Sequence, residues 1–375
     1  MWSLFETDPP VEVLAPNYPL LIMICILMTV IITGNTLSII TIVSTPSLFN
    51  QTGYCLINLA IADLSIGIFY LPFCIPIVIT GQWYSTDLFC RVMTSTAICT
   101  VIVSITSLAL ISIDRFVCIF VPFRYQRIFS KRRVFSLLLV TWGYGSAMAL
   151  FSVTVPHFIK FQPFFYNCGI DVTGDKTRPY TITLLTCGFY IPLVVIFYCC
   201  LRIKNISWKA RQKINLQNQV TAREKTRFKE TRRQITITAR VFVVIVVFLI
   251  CWGPFAIEMH YGLITRHQFP WQLSVTFEFL AKFNSAMNPF IYMITFAPFR
   301  KTFLKRYFPS FVKDERPSIE VMPCSSSEKN NTNGIKTVSG SVSERRSFPD
   351  NNLAEATMAG HQFHGNITIQ HDIHV

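Results

Sequence analysis

Charge is scarce in this chain. Only 14% of its 375 residues are Asp, Glu, Lys or Arg, against 51% hydrophobic and 14% aromatic, and that balance excludes an ordinary soluble domain. Acid is scarcer than base, with 20 acidic against 34 basic residues and a formal charge of +14. A nucleic-acid partner is not expected, because the basic residues lie between hydrophobic runs and just after the last one, where membrane topology accounts for them. The twelve cysteines show no metal-ligand spacing. Most, such as Cys25, Cys55 and Cys74, sit inside apolar runs, where cysteine behaves as a small hydrophobe. No basic region precedes the first apolar run, so no cleavable signal peptide is expected. No repeat recurs at a period of about 20–50 residues, and no inverted pairing of broken segments points to a transporter. No nucleophile–base or metal constellation points to an enzyme.

What is present is length of apolar chain. Seven runs, about 19–43, 54–80, 90–121, 133–157, 179–203, 235–264 and 271–295, are each long enough to span a bilayer. They predict an all-α membrane protein, a seven-transmembrane helix bundle over 19–297 behind an extracellular tail of residues 1–18. Bases crowd the loop holding Arg124, Arg127, Lys131, Arg132 and Arg133 and the loop from Arg202 to Arg240. Both loops are therefore expected on the cytoplasmic side, which puts the N-terminus outside a multi-pass protein of the cell membrane and the C-terminus inside. Residues 298–308 alternate bases with aromatics and read as a short amphipathic eighth helix on membrane lipid. Residues 309–375 are Ser-, Asn- and Gly-rich and read as a disordered cytoplasmic tail. Only Cys90 and Cys168 fall at expected extracellular helix ends or loops, where oxidising conditions favour a bridge, and we pair them.

The run 271–295 carries an anomaly. Lys282 lies about 16 Å from either end of that helix, the worst depth for an ammonium, costing roughly 2.5–3.5 kcal/mol on insertion scales. Such a residue pairs or does chemistry. Glu278, four residues earlier on the same face, makes a structural ion pair one reading. The other is a Schiff base, because burial favours the uncharged, nucleophilic amine.

The order of short motifs along 19–308 resembles the rhodopsin-like class A G-protein-coupled receptors. Gly34-Asn35 and Leu59-Ala60-Ile61-Ala62-Asp63 stand in the first two runs, Trp83 and Cys90 follow, and Asp114-Arg115-Phe116 closes the third. Trp142, Pro192, Cys251-Trp252-Gly253-Pro254 and Asn288-Pro289-Phe290-Ile291-Tyr292 mark the remaining four. The resemblance implies a heterotrimeric G protein as partner, coupled through Asp114, Arg115 and Tyr292. It implies arrestin and a receptor kinase acting on the Ser-rich tail. It also matches Asp63, Ser104, Asn284 and Asn288 to the family's sodium site, although a water-filled polar network explains the same residues. Trp252, Phe255, Ala256 and Met259 correspond to the ligand-facing part of the sixth helix, above the hinge that Pro254 provides.

Within that family the chain looks like an animal opsin. Lys282 stands seven residues before Pro289, the spacing of the retinal lysine, and Asn167-Cys168-Gly169-Ile170-Asp171 resembles the opsin plug that closes the pocket. The resemblance therefore implies retinal bound to Lys282 as a Schiff base and light-driven activation of a G protein. Met93 and Gln162 occupy the usual counterion positions and carry no charge. Glu278 is the candidate counterion, an arrangement similar to some cnidarian opsins, and chloride near the Schiff base is the alternative should Glu278 be protonated. Phe116 and Cys200 replace tyrosines of the family pattern. Ala97 takes the place of the amine-binding aspartate, which points away from an amine receptor. The competing function is a receptor for a diffusible non-amine ligand, with Lys282 paired to Glu278 or to a ligand carboxylate.

Overall fold

Asn17 starts the first helix. Its side-chain oxygen accepts the Leu20 N–H at 3.1 Å, Pro19 fits the first turn, and an unbroken apolar run carries α1 over Tyr18–Val43. Asn50 opens α2 (Gln51–Phe69) in the same way, by accepting Gly53 N–H at 3.1 Å. That span breaks at Tyr70 and resumes as α3 (Leu71–Thr80), because Pro72 has no N–H to give the preceding turn. Thr86 caps α4 (Asp87–Phe120), whose first turn carries Asp87 where the helix dipole favours an anion. One turn, α5 (Tyr125–Ile128), leads into α6 (Lys131–Thr154).

A two-stranded hairpin follows, β1 (Ile159–Gln162) antiparallel to β2 (Asn167–Ile170), with Phe161 opposite Cys168 and Gln162 opposite Asn167. Next come α7 (Arg178–Thr183), a π-helical stretch Leu184–Tyr190, and α8 (Ile191–Leu216). The π turns sit just ahead of Pro192, whose ring would collide with the carbonyl four residues back in a regular α-helix. Then follow α9 (Ala222–Thr265), α10 (Trp271–Thr295) and α11 (Ala297–Tyr307).

This architecture is that of a computed structural model, which describes residues 16–154, 158–162, 166–216, 222–267 and 269–311, with backbone alone at 207–242 and 311. The tails expected over 1–18 and 309–375, serines included, fall outside those residues apart from 16–18 and 309–311. Six of the helical spans are long and apolar enough to cross a membrane; α10, with Glu278 and Lys282 in its length, is the seventh helix of the bundle. One expectation needs correction. The basic segment from Arg202 to Arg240 is not a loop over most of its length, since α8 runs on to Leu216 and α9 starts at Ala222. Lys, Arg, Gln and Glu are good helix formers, so the helices outlast the apolar runs that marked them.

Polar side chains bolt the bundle at mid-depth. Asn35 donates to Ser285 O at 3.1 Å, joining α1 to α10. Asn58 donates to Ser107 Oγ at 2.8 Å and accepts Trp142 Nε1–H at 2.9 Å, joining α2, α4 and α6. Two glycines let helices approach closely: a Cβ on Gly34 would lie 3.0 Å from the Pro289 ring, and one on Gly145 would lie 2.9 Å from Cys99 O.

Candidate functional site

Lys282 and Glu278 lie on one face of α10, and Nζ is 2.9 Å from Glu278 Oε1. The ammonium also stands 5.0 Å above the Tyr70 ring, where the ring face attracts a cation. Asn167 in β2 donates its side-chain amide to the other Glu278 oxygen. One carboxylate thus holds the lysine with one oxygen and the hairpin with the other.

These groups face a cavity of about 200 Å³. Trp252, Phe255, Ala256 and Met259 wall it from α9, with Ala97 from α4 and Phe189 from the π turns, so its surface is mainly apolar. Trp252 stacks on Phe248 with ring centres 6.2 Å apart and meets Phe255 edge-on at 5.7 Å. Lys282 is the one lysine or arginine among the described lining residues.

The hairpin closes the cavity because α4 holds it twice. Cys90 and Cys168 are joined by a disulfide, and Thr94 Oγ1 donates to Cys168 O at 2.8 Å. Gln162 lies in the cavity wall with Nε2 donating to Ile170 O at 3.1 Å, whereas Met93 is buried and is not among the lining residues.

Glu278 is not the only acid near the lysine. Glu258 on α9 is 8% exposed, lines the same cavity and interacts electrostatically with both Glu278 and Lys282. Glu278 is the carboxylate on the same face of α10 as Lys282, and the packing of α9 on α10 adds a second acid from a different helix. A signal was available: Glu258 is an acid inside an apolar run, the same anomaly that marks Lys282.

Deeper in the bundle Asp63, 1% exposed, accepts Asn288 Nδ2–H at 2.7 Å. The Ser285 hydroxyl also acts on this carboxyl, although Asp63 Oδ1 and Ser104 Oγ make no hydrogen bond of ordinary geometry, and Asn284 is buried. Carboxylate and hydroxyl oxygens with open lone pairs fit a hard cation in kind.

The opposite end from the hairpin is built around Asp114. Its carboxylate accepts Arg115 Nε at 2.9 Å and Nη2 at 2.5 Å, Thr52 Oγ1–H at 2.7 Å and Tyr125 O–H at 2.6 Å. Arg115 Nη2 also donates to Thr52 Oγ1, which closes the network. Tyr292 is buried nearby in the same core, its ring edge-on to Phe299 at 5.8 Å and its O–H without a partner.

A seven-helix bundle with these bolts has a counterpart among known proteins, for a family model described as 7 transmembrane receptor (rhodopsin family) matches residues 34–292. The chain belongs to that family. As a rhodopsin-family receptor it is a multi-pass membrane protein of the G-protein-coupled class and not an enzyme. It is 26% identical to melatonin receptor type 1C of Gallus gallus over 279 residues, 72% of this chain and 76% of that receptor. It is 28% identical to trace amine-associated receptor 1 of Mus musculus over 296 residues, 77% and 88% of the two chains. The crystal structure of squid rhodopsin superposes with a TM-score of 0.69 at 21% identity, covering 82% of this chain and 89% of that one. At that identity the superposition speaks for the receptor fold alone.

Proposed function

We propose that this receptor senses light through retinal held on Lys282. The observation that carries the reading is a lone lysine inside a mainly apolar, capped cavity, with a carboxylate 2.9 Å from its Nζ. The residues fit the group: apolar walls suit a polyene, the amine suits an aldehyde, and Glu278 can balance a cation at the end of the side chain. Bound there as a Schiff base, retinal would supply light absorption and a light-driven change of shape. The chain's own residues do the rest. Glu278 stands as the anion, with chloride as the alternative that halide exchange tests, and Asn167 orients the carboxylate from the hairpin. The disulfide-anchored hairpin keeps water from the amine. Trp252 lines the cavity two residues before Pro254, so pressure on its ring is delivered to the weakest turn of α9. Release of Arg115 from Asp114 then exposes a cation to a G protein, with Tyr292 beside the path. A sodium ion at Asp63, Ser104, Asn284 and Asn288 would hold the resting packing. On this reading the hairpin and N-terminus face outward, and the Asp114 end and C-terminus face the cytoplasm, where the tail meets kinase and arrestin.

Purification with retinal and an absorbance scan, followed by borohydride reduction and peptide mapping, tests the proposal. A visible or ultraviolet pigment with a retinyl adduct on the Lys282 peptide supports it; retinal that stays unattached refutes it. The second reading is a receptor for a diffusible non-amine ligand. It is favoured by relatives named as melatonin receptors and by the fact that Glu278 already satisfies Lys282. It predicts no adduct and a ligand-induced rise in thermal stability.

A further inference from the structure

Lys282 has two carboxyls within electrostatic reach, one from its own helix and one from α9. Glu258 and Ser274 line the cavity together: the Ser274 hydroxyl acts on the Glu258 carboxyl, although neither Glu258 Oε2 nor Ser274 Oγ makes a hydrogen bond of ordinary geometry, and Ser274 is 1% exposed. Asn167 Oδ1 is a third buried acceptor left open there, since its amide nitrogen is committed to Glu278.

The charges around Glu258 can be counted. From α10 come Glu278 and Lys282; Tyr70, at the break between α2 and α3, and Cys74 of α3 lie close to that pair. The lining residues of α4 and α7 are uncharged, Thr94 and Thr181 among them. On α9 itself His260 is engaged by Tyr190 at 3.2 Å. In the loop after β2, Asp171 is paired with Lys160 at 2.8 Å and Asp175 with Arg266 at 3.1 Å. Among the described residues, one ammonium is therefore left for two acids. Two carboxylates would strand a negative charge in an apolar cavity, so one of the acids keeps a proton. Glu278 is the better-held anion, because one oxygen meets Nζ and the other an N–H, whereas Glu258 Oε2 makes no ordinary hydrogen bond and its carboxyl has the weaker Ser274 hydroxyl beside it.

We propose that Glu258 is the second acid of the Lys282 site: it holds the shared proton while Glu278 is the anion, and it becomes the anion when Glu278 is neutralised. The exchange moves one proton from Glu258 to Glu278 and nothing else. Negative charge passes from α10 to α9, the two helices packed across this face of the cavity, without an imported ion. The inference deepens the proposed function by adding a regulator to its site. Its purpose rests on that reading, but its test does not.

The test uses the full chain, purified without retinal, in four forms: wild type, Glu258→Gln, Glu278→Gln and the double variant. In thermal melts Glu258→Gln should stay near wild type, since an amide mimics a neutral carboxyl. The double variant should lose more than the sum of the single losses, because only it leaves Lys282 without an anion. Additive losses overturn the proposal. Infrared difference spectra give an independent readout: the wild type should show a neutral-carboxyl C=O band that either single substitution removes, one by deleting the acid and the other by ionising it. A band that survives in either single variant overturns the proposal, and the Glu278→Gln spectrum decides the matter even if Glu258→Gln fails to fold. With retinal added, absence of pigment in the wild type refutes the retinal reading alone. If pigment forms, the pH at which it bleaches should fall further in the double variant than in Glu278→Gln.

Discussion

Replacing Asp114 by Asn would remove one charge and almost no volume from the network that immobilises Arg115. The carboxylate, fully buried, accepts two bonds from Arg115 and one each from Thr52 and Tyr125, at 2.5–2.9 Å. An amide keeps one acceptor oxygen and presents a donor on the other side, so either Tyr125 or the Arg115–Thr52 pair loses its partner. Arg115 is 6% exposed, and removing the partner of a buried ion costs about 3–5 kcal/mol. That cost falls on the conformation in which Arg115 is buried against Asp114 and is relieved in any conformation that brings the guanidinium to water or to a partner. At about 1.4 kcal/mol per factor of ten, the balance shifts by a factor of roughly 100 to 4,000. Moving a population from 1:99 to 99:1 takes about 5.5 kcal/mol, so Asp114→Asn should signal strongly in the dark and without any ligand. The assay is basal nucleotide exchange on a reconstituted G protein, normalised to folded receptor, alongside a thermal melt. Exchange at the wild-type level from a well-folded Asp114→Asn receptor would show that this network does not hold the resting state.

Lys282→Ala should bind no retinal covalently, and a pigment that survives the substitution would remove the lysine from the site. The Cys90–Cys168 bridge closes a separation of 78 residues, for which chain entropy predicts about 4–5 kcal/mol. Cys90→Ser should therefore lower the yield of folded receptor and loosen the hairpin over the cavity; normal yield and normal ligand retention would contradict that. Burial raises the Asp171 carboxyl, but the Lys160 ammonium and the Thr173 donors outweigh it and hold the group below its ordinary value. A depressed carboxyl stabilises the fold above its unfolded value, and the contribution is lost as pH falls through the lower folded one. The pair is partly exposed, so the effect is small. Melting temperature should decline at the acid end in wild type and less steeply in Asp171→Asn, and parallel acid limbs would exclude the pair.

The sequence by itself determined the bundle. Seven runs of about twenty or more apolar residues have few soluble solutions, and backbone groups in lipid must bond within their own helix, so number and place of the helices follow from composition along the chain. The Lys282–Glu278 contact was equally legible, because i and i+4 meet on any α-helix. Helix ends were less legible: α8 and α9 run past their apolar limits since helix propensity in water carries no hydropathy signal. The π turns before Pro192 were also unseen, being a local answer to a steric conflict that allows several. Only the tertiary structure decided that Glu258 joins Lys282. The two residues are 24 apart on different helices, and which face of α9 meets α10 depends on rotation and packing of whole helices, not on any periodicity within one. The same holds for Thr52 and Tyr125 at Asp114 and for Asn167 at Glu278: each is an ordinary polar residue in sequence, and it becomes part of a site only when a separate segment carries it there.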